Sequence, residues 1–353
     1  MHSTTALRRT PRARRLVTAV AATLVATSAI AATSQPAVAV EVRGVDVITD
    51  IAYTDPVPAT TIGNLLDLYI PQVPGQQELP LLIWTTGSAW FSDNGKAGAA
   101  AIAEEFNPRG YAVAGVSVRS SLQVKFPGQL FDIRAAIRWL RSHAEEYGID
   151  PDRIAIMGNS SGGWVSAIAA TTGDILQLDG EPDVGGVSSA VQASVPFFPP
   201  TAFLHMDQQT LQQKETYDLP FLPVIIHDAP FSPESNLIGC PIQTCPEATE
   251  AANPIAYVNG LEPPIHVFHG TFDRLLPPGQ SEALYEALQA AGSEASFTLV
   301  DGAGHSVDDI IGAEVFTVRK VNRGGHERVG QRPAPTWDTV EHLLHVALSR
   351  ARR

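Results

Sequence analysis

The most reactive side chain that the sequence offers is a serine inside a Gly-x-Ser-x-Gly pentapeptide, with Ser160 between Gly158 and Gly162. A serine at the apex of a sharp strand-to-helix turn is presented clear of the backbone and can act as a nucleophile. The two glycines suit such a turn, because side chains at their positions would collide with neighbouring backbone. The motif therefore predicts nucleophilic catalysis through a covalent serine intermediate.

A serine hydroxyl needs a base, and the base needs a carboxylate that orients it. Among ten histidines, His305 lies on a Gly-rich turn after the last predicted strand, and Asp273 follows the preceding strand. His305 would take the proton of Ser160 and return it to the leaving group, while Asp273 would fix the imidazole tautomer. Asp308 and Asp309 are rival acids, although they stand very near His305 in sequence.

The other histidines point to no second site. His266 and His269 lie in or beside a predicted strand and are interpreted as structural, and His342 and His345 lie three residues apart on a predicted helix. No Cys, Asp or Glu at metal-ligand spacing joins the helical pair, so no metal is predicted.

A tetrahedral intermediate would need N–H donors for its oxyanion. The expected donors are the backbone N–H of Ser161 and those of Ser88 and Ala89, in the loop after the strand at 79–84. Trp90 and Trp164 follow that loop and the serine in sequence, and are predicted to contact the substrate.

Elements of alternating type must position these residues. A short apolar run at 154–157 predicts a buried strand before Ser160, and the residues from Trp164 onward predict a packed helix. Further strands and helices alternate, which predicts a mostly parallel sheet with helices on both faces. The remaining predicted strands are 45–53, 64–70, 79–84, 111–118, 191–197, 264–268 and 296–300, and the helices are 97–105, 129–146, 280–291 and 337–349. Such sheets bind ligands at the carboxyl ends of their strands, where the candidate residues fall.

Residues 40–353 are predicted to form one domain with two departures from regular alternation. Residues 198–260 are Pro-rich and irregular, and are interpreted as a lid-like insertion over the active-site edge. Residues 313–334 form a polar excursion containing Gly and Arg, expected either to wall the substrate pocket or to be mobile.

The first 39 residues predict export. Five arginines precede an apolar run from Leu16 to Ala32, which ends near Ala37-Val38-Ala39, the pattern of a secretory signal peptide cleaved after Ala39. Paired arginines leave the twin-arginine route open beside the general one. A membrane anchor is the alternative, but the run is only weakly apolar.

Charge and cysteine content fit an exported protein. Removing residues 1–39, which hold five arginines and no acid, takes the net charge from −13 to −18. This acidity argues against nucleic acid or an anionic membrane as partner. Cys240 and Cys245 are separated by four residues and are predicted to form a disulfide, as export permits.

Further motifs surround the three catalytic candidates and span roughly residues 64–306. They are LDLYIP at 66–71, IWTTGSAW at 83–90, FPGQLFD at 126–132, AAIRWL at 135–140, YGIDPDRI at 147–154, GNSSGG at 158–163, HGTFD at 269–273 and GAGH at 302–305. With them the sequence resembles the α/β-hydrolase esterases of the acetyl-xylan/feruloyl-esterase-like and hormone-sensitive-lipase-like branches. The resemblance implies an α/β-hydrolase fold and the chain order Ser160, Asp273, His305 for the triad.

The oxyanion loop departs from the pattern of that family, His-Gly-Gly-Gly/Ala-Trp. Thr86 stands where the family has its histidine, and Ser88 stands where it has the second glycine. The donors are backbone groups, so the changes need not remove them, but a Cβ at Ser88 can restrict the loop.

These features together predict a secreted serine carboxylic-ester hydrolase without metal or organic cofactor. Its substrate is expected to be a small-molecule or polysaccharide-linked ester, and no oligomeric state follows from the sequence. A secreted serine peptidase of the same fold and a catalytically silent, ligand-binding hydrolase fold are the two alternatives.

Overall fold

A computed structural model describes residues 42–75, 78–181, 186–219, 225–323 and 325–351. The predicted signal peptide, residues 1–39, lies outside the described residues. Within the described ranges, the strands form one ten-stranded sheet in the order β1-β2-β4-β3-β5-β6-β7-β8-β9-β10. The strands are β1 Val45–Ala52, β2 Leu65–Pro71, β3 Leu79–Thr85, β4 Ala112–Val116, β5 Ile149–Asn159, β6 Ala193–Phe197, β7 Ile265–Gly270, β8 Ala295–Val300, β9 Phe316–Arg323 and β10 His326–Pro333.

Helices fill most of the connections between strands. They are α1 Ala99–Phe106, α2 Gly128–Ser142, α3 Ser161–Thr171, α4 Met206–Thr216, α5 Pro233–Ile238, α6 Pro246–Ala251, α7 Gly279–Ala291, α8 Val307–Ile310 and α9 Trp337–Ala351. Short 3₁₀ turns occur at Asn107–Arg109, Phe203–His205, Ile242–Thr244 and Pro254–Tyr257.

The centre of the sheet is parallel and its margins are antiparallel. The six central strands, β4, β3, β5, β6, β7 and β8, run parallel to one another. Strand β2 is antiparallel to both β1 and β4, and β9 is antiparallel to both β8 and β10. The carboxyl ends of β3, β5, β7 and β8 therefore meet along one edge, and the candidate residues follow those strands.

Strand β3 shows why the central strands are apolar throughout. Leu81 and Ile83 pack into the core on one face of the sheet, and Leu82 and Trp84 pack into the core on the other. Helices α2, α3 and α7 contribute to the first core, and α1 and α9 contribute to the second. A strand covered on both faces cannot alternate apolar and polar residues, which explains its continuous hydrophobic run.

Two expectations about the irregular segments require correction. Residues 198–260 are not simply irregular, because their described part contains helices α4, α5 and α6. The polar excursion at 313–334 contains regular structure: the hairpin β9–β10 lies there, and its strand β9 pairs with β8 and extends the sheet. The cysteines of the insertion, Cys240 and Cys245, are paired as a disulfide with Cα atoms 6.5 Å apart.

Candidate active site

Ser160 occupies the sharp turn between strand β5 and helix α3. Its backbone has φ 55° and ψ −126°, a strained conformation for a residue with a side chain. Two hydrogen bonds hold the turn, from the Ser160 N–H to the Phe197 carbonyl at 3.0 Å and from the Trp164 N–H to the Ser160 carbonyl at 2.9 Å. The neighbouring strand β6 and the following helix α3 thus fix the backbone of Ser160 on either side of its hydroxyl.

The glycines that flank Ser160 are required by close approach. A Cβ at Gly162 would lie 2.2 Å from the Thr85 carbonyl oxygen, and one at Gly158 would lie 2.4 Å from the Gly162 carbonyl oxygen. Both contacts are with backbone, so no side-chain rotation relieves them. The elbow therefore folds only with glycine at these two positions, as the sequence motif suggested.

The structure brings the three predicted triad residues together. His305 Nε2 lies 3.0 Å from Ser160 Oγ, and His305 Nδ1 lies 2.7 Å from Asp273 Oδ2. Strands β5, β7 and β8 deliver the three residues from positions 113 and 32 residues apart in the chain. With Nδ1 donating to the carboxylate, Nε2 is left as the acceptor for the serine proton.

Asp273 is buried and is held on both of its oxygens. Its Oδ1 accepts the N–H groups of Leu275 and Leu276, each at 2.9 Å, while a second histidine, His269, places Nε2 3.3 Å from Oδ2. Burial raises the pKa of Asp273, but the hydrogen bonds from His269 and His305 outweigh it and hold that pKa well below its ordinary value. Asp273 is therefore a fixed negative charge facing His305.

The rival acids occupy a different place. Asp308 and Asp309 are both exposed at the start of helix α8. Asp309 Oδ2 accepts the Gly304 N–H at 3.2 Å, which stabilises the turn that carries His305. Their contacts are those of turn and helix-start residues, and the orienting contact to His305 comes from Asp273.

The oxyanion loop, defined as residues 86–90, packs directly on the elbow. A Cβ at Gly87 would lie 2.5 Å from the Cβ of Ser160, so this glycine lets the loop reach the nucleophile. The left-handed backbone falls on Ala89, with φ 52°, and Trp90, with φ 59°, and not on Ser88. The Cβ of Ser88 therefore does not forbid the loop conformation.

One of the expected oxyanion donors is already engaged. The Ser88 N–H donates to Ser161 Oγ at 2.8 Å, which corrects its assignment as a free donor. Among the described groups, no acceptor is hydrogen-bonded to the Ala89 N–H, and the Ser161 N–H begins helix α3 without an intrahelical partner. Ala89 and Ser161 thus supply the two unoccupied N–H groups beside Ser160.

The two tryptophans do not lie where substrate contacts were expected. Trp164 is fully buried, and its Nε1 donates to the Ala252 carbonyl at 2.8 Å. Trp90 is 4% exposed and meets Trp164 edge to face, with ring centroids 5.6 Å apart. Both rings lie in the core beneath the site, where helix α3 directs Trp164 inward and the oxyanion loop packs Trp90 against it.

Several residues of the site carried no sequence signal. Asn159 Oδ1 accepts the Gly87 N–H and the Thr86 hydroxyl, each at 3.1 Å, and so ties the oxyanion loop to the elbow. Phe198 places its ring 4.5 Å from that of His305. Thr86, which replaces the family histidine, therefore has a structural role through its contact with Asn159. For Asn159 itself, the sequence offered one clue, its position next to Ser160.

Helix α4 of the insertion also contacts the turn that carries Asp273. Gln213 of helix α4 is buried and donates Nε2 to the carbonyl oxygens of Thr271 and Asp273, at 2.9 and 2.8 Å. Helix α4 therefore braces the backbone that carries the catalytic carboxylate candidate. Nothing in the sequence pattern of α4 indicated this contact.

The described residues contain neither a metal-binding cluster nor a membrane-spanning helix. In the described ranges no three His, Cys, Asp or Glu side chains are grouped so as to hold a metal ion. No helix in the same ranges has the length and apolarity needed to cross a membrane.

Comparison with known proteins places the chain in a family. The BD-FAE family matches residues 66–288, and the chain belongs to it, a family of α/β-hydrolase esterases. The chain is similar to the esterase LipQ of Mycobacterium tuberculosis, 28% identical over 69% of this chain and 54% of LipQ. It is also similar to isoprenylcysteine alpha-carbonyl methylesterase ICME of Arabidopsis thaliana, 27% identical over 69% of this chain and 54% of that protein. The chain spans about half the length of the curated relatives it matches.

Solved structures support the same placement. A truncated carbohydrate esterase from the gut microbiota is 31% identical, with a TM-score of 0.63 over 74% of this chain and 89% of that one. Esterase B from Lactobacillus rhamnosis, at 20% identity and a TM-score of 0.58 over 76% of this chain and 82% of that one, shares the fold. The predicted α/β-hydrolase fold and the resemblance to esterases are confirmed.

Proposed function

We propose that this protein is a carboxylic-ester hydrolase that works through an acyl-enzyme on Ser160. The observation that carries the proposal is the continuous path from Ser160 Oγ through His305 to Asp273, with distances of 3.0 and 2.7 Å. Membership of an esterase family supports the reaction class. The buried, ionised Asp273 supports it further, because it favours an imidazole ready to accept a proton.

In the acylation half, Ser160 Oγ attacks the ester carbonyl carbon while His305 Nε2 takes the hydroxyl proton. The carbonyl oxygen becomes an oxyanion, which the N–H groups of Ala89 and Ser161 would stabilise. The tetrahedral intermediate collapses, the bond to the alcohol oxygen breaks, and His305 gives its proton to that oxygen. The alcohol leaves and the acyl group stays on Ser160.

In the deacylation half, water replaces the alcohol. His305 Nε2 takes a proton from the water as the water oxygen attacks the acyl carbonyl, and a second oxyanion forms in the same place. Collapse of this intermediate breaks the bond to Ser160 Oγ, which recovers its proton from His305. The carboxylic acid leaves, and no cofactor enters either half.

The substrate class is taken from chemistry and from the relatives together. By name, one solved relative is a carbohydrate esterase, and one curated relative is an isoprenylcysteine alpha-carbonyl methylesterase. The acidic chain, with a net charge of −13, disfavours polyanionic partners such as nucleic acid. We therefore propose small-molecule or polysaccharide-linked esters as substrates.

We also propose that the protein is exported and that its signal peptide is removed after Ala39. The basic start, the apolar run and the Ala-x-Ala end support this, and the Cys240–Cys245 disulfide suits an oxidising compartment. Amino-terminal sequencing of the exported protein should begin at Val40. A chain that keeps residues 1–39, or that stays in the cytoplasm, would contradict the proposal.

The esterase proposal is tested with p-nitrophenyl esters from acetate to long chain, using residues 40–353 and the variant Ser160→Ala. We expect hydrolysis by the wild type and its loss, by about 10⁴-fold or more, in the variant. A parallel series of peptide p-nitroanilides separates ester from amide cleavage. Faster anilide than ester hydrolysis would favour a peptidase, and no turnover of either series in a folded sample would favour a binding protein.

A further inference from the structure

The side chain of Ser161 makes an unusual pair of contacts. Its Oγ accepts the N–H of Ser88 at 2.8 Å and the N–H of Trp90 at 3.3 Å, and the residue is only 5% exposed. A hydroxyl on the first turn of helix α3 thus binds two backbone donors from the loop after strand β3. These contacts are separate from the backbone N–H that Ser161 offers to an oxyanion.

The two bonds fall on either side of Ala89. Ala89 and Trp90 both have left-handed backbone, with φ 52° and 59°, which residues with side chains adopt only under constraint. Because Ser161 Oγ holds the residue before Ala89 and the residue after it, the hydroxyl imposes that conformation on the segment between. The Ala89 N–H is the one in this stretch that is left for a ligand.

Other hydrogen bonds hold the start of the loop, whereas the two N–H groups on either side of Ala89 are both bound by Ser161. Asn159 Oδ1 accepts the Gly87 N–H at 3.1 Å, and the Thr86 N–H donates to the Gly95 carbonyl at 2.7 Å. Ser88 Oγ is turned away, since it accepts the Ser92 N–H at 3.2 Å. The Trp90 ring also packs on Trp164 of helix α3, and the Trp90 carbonyl accepts the Ser121 N–H at 2.7 Å. The Ser161 hydroxyl is therefore the acceptor that ties the N–H groups of residues 88 and 90 to the elbow.

We propose that the Ser161 hydroxyl is the positioning group of the oxyanion hole, an inference that rests on the proposed esterase function. One residue then sets both sides of the hole: its backbone N–H is one donor, and its side chain orients the loop that carries the other. The hydroxyl touches no reacting atom, so its loss should raise the barrier to the tetrahedral intermediate without weakening substrate binding.

The test compares Ser161→Ala with Ser166→Ala. The first change keeps the N–H of residue 161 and removes only the hydroxyl. The second removes a fully buried hydroxyl from the same helix, where it bonds the Ile156 carbonyl and Ser194, away from the loop. It therefore controls for the loss of a buried hydrogen bond within α3.

We expect Ser161→Ala to lower kcat for p-nitrophenyl acetate by roughly 10- to 100-fold, less than or similar to the loss of a whole oxyanion donor. The KM should stay within about twofold, because ground-state binding is unaffected. Affinity for a trifluoromethyl ketone, which forms a tetrahedral oxyanion adduct on the serine, should fall by about the same factor as kcat. Ser166→Ala should keep kcat and this affinity near the wild-type values.

Hydrogen exchange of the 86–92 peptide gives a readout that does not depend on turnover. Exchange in this peptide should be faster in Ser161→Ala than in the wild type and unchanged in Ser166→Ala. Unchanged exchange and unchanged kcat in Ser161→Ala would overturn the positioning role, as would equal losses in the two variants. A wild type that hydrolyses no ester would instead overturn the proposed function. Faster exchange in Ser161→Ala would then still show that Ser161 holds the loop, but the loop would have no catalytic role.

Discussion

At the scale of single residues, the site depends on backbone strain that its neighbours maintain. Ser160 has φ 55° and Ala89 has φ 52°, and each is held by contacts from another element. Strain of this kind costs of order 1–3 kcal/mol per residue and persists only where surrounding structure over-determines it. Two of the residues with such a backbone are therefore the proposed nucleophile and a residue of the oxyanion loop.

Asp273→Asn is the sharpest test of the acid. The variant keeps the shape of the side chain but presents an amide where His305 Nδ1 donates, so the imidazole tautomer is wrong and kcat should fall by about 10⁴-fold. Esterase assays with circular dichroism check activity and fold together. Asp308→Asn is the matched control, since Asp308 is exposed; near-normal activity in Asp273→Asn with a dead Asp308→Asn would reverse the assignment.

Gly87→Ala should inactivate the enzyme by crowding. An added Cβ would lie 2.5 Å from the Ser160 Cβ and 2.5 Å from the Asn159 carbonyl oxygen, so the oxyanion loop must move off the elbow. We expect kcat to fall by about 10²-fold or more, as for loss of an oxyanion donor. Gly330→Ala is the control for expression and assay, because nothing lies within 4 Å of its added Cβ and its backbone is not left-handed. Wild-type turnover in Gly87→Ala would show that the loop tolerates displacement.

The catalytic residues could be predicted from the sequence, but the residues that position them could not. The chemistry of Ser160, Asp273 and His305 could be predicted because nucleophile, acid and base each follow a strand in a known order. The roles of Ser161 Oγ and Gln213 could not, because they depend on which backbone groups approach across the fold. The tryptophans were misassigned because proximity in sequence to Ser160 does not reveal which way a ring turns.

At the scale of elements, helix α4 of the insertion and the acid turn act as one unit. Gln213→Leu removes both hydrogen bonds to the carbonyls of Thr271 and Asp273 and leaves two buried acceptors unpaired, each costing about 1–3 kcal/mol. We expect a Tm lower by several degrees and kcat lower by about 10-fold, measured by calorimetry and ester hydrolysis. Gln212→Leu changes an exposed neighbour on the same helix and should alter neither. Normal values for Gln213→Leu would show that α4 does not brace the acid.

The buried His266 on strand β7 is expected to make the free energy of unfolding depend on pH. Burial, together with the positive charges of Arg319 and Arg350, lowers the pKa of His266 from 6.5 to about 3. Between those values the unfolded chain takes up a proton that the folded chain does not, so stability falls as pH falls from about 6.5 toward 3. At the acid end of this pH range, His266 lowers the free energy of unfolding by up to about 4 kcal/mol.

The variant His266→Asn isolates that contribution, because an amide can still bond Ser296 but does not titrate. Urea unfolding at several pH values should give a shallower acid loss for the variant than for the wild type, even where the variant is less stable at neutral pH. Parallel curves for the two proteins would mean that His266 does not supply the pH dependence.

The elements also show where pattern reading failed. The hairpin β9–β10 was not predicted, because its sequence shows only a weak alternation of apolar and polar residues. A strand at the margin of a sheet buries few side chains, so such an alternation is not required there. The buried central strands were predictable, since residues such as Ile156 and Leu82 must be apolar when helices cover both faces.

At the scale of the whole molecule, one sheet carries the proposed chemistry on a single edge. The parallel centre gathers the turns after β3, β5, β7 and β8. The antiparallel hairpin extends the sheet on the far side of β8, the strand that precedes His305. The family match covers residues 66–288, so His305 and the hairpin lie outside it. The geometry, and not the family match, therefore supplies the base.

The measurement that tests the central claim most directly is stoichiometric labelling with a p-nitrophenyl alkylphosphonate, which reacts far faster with an activated serine than with an ordinary one. The account predicts one label per chain on the peptide containing Ser160, with esterase activity lost in proportion, and no label in Ser160→Ala or His305→Ala. A protein that hydrolyses esters yet remains unlabelled at Ser160, or stays active when Ser160 is fully labelled, would contradict the account.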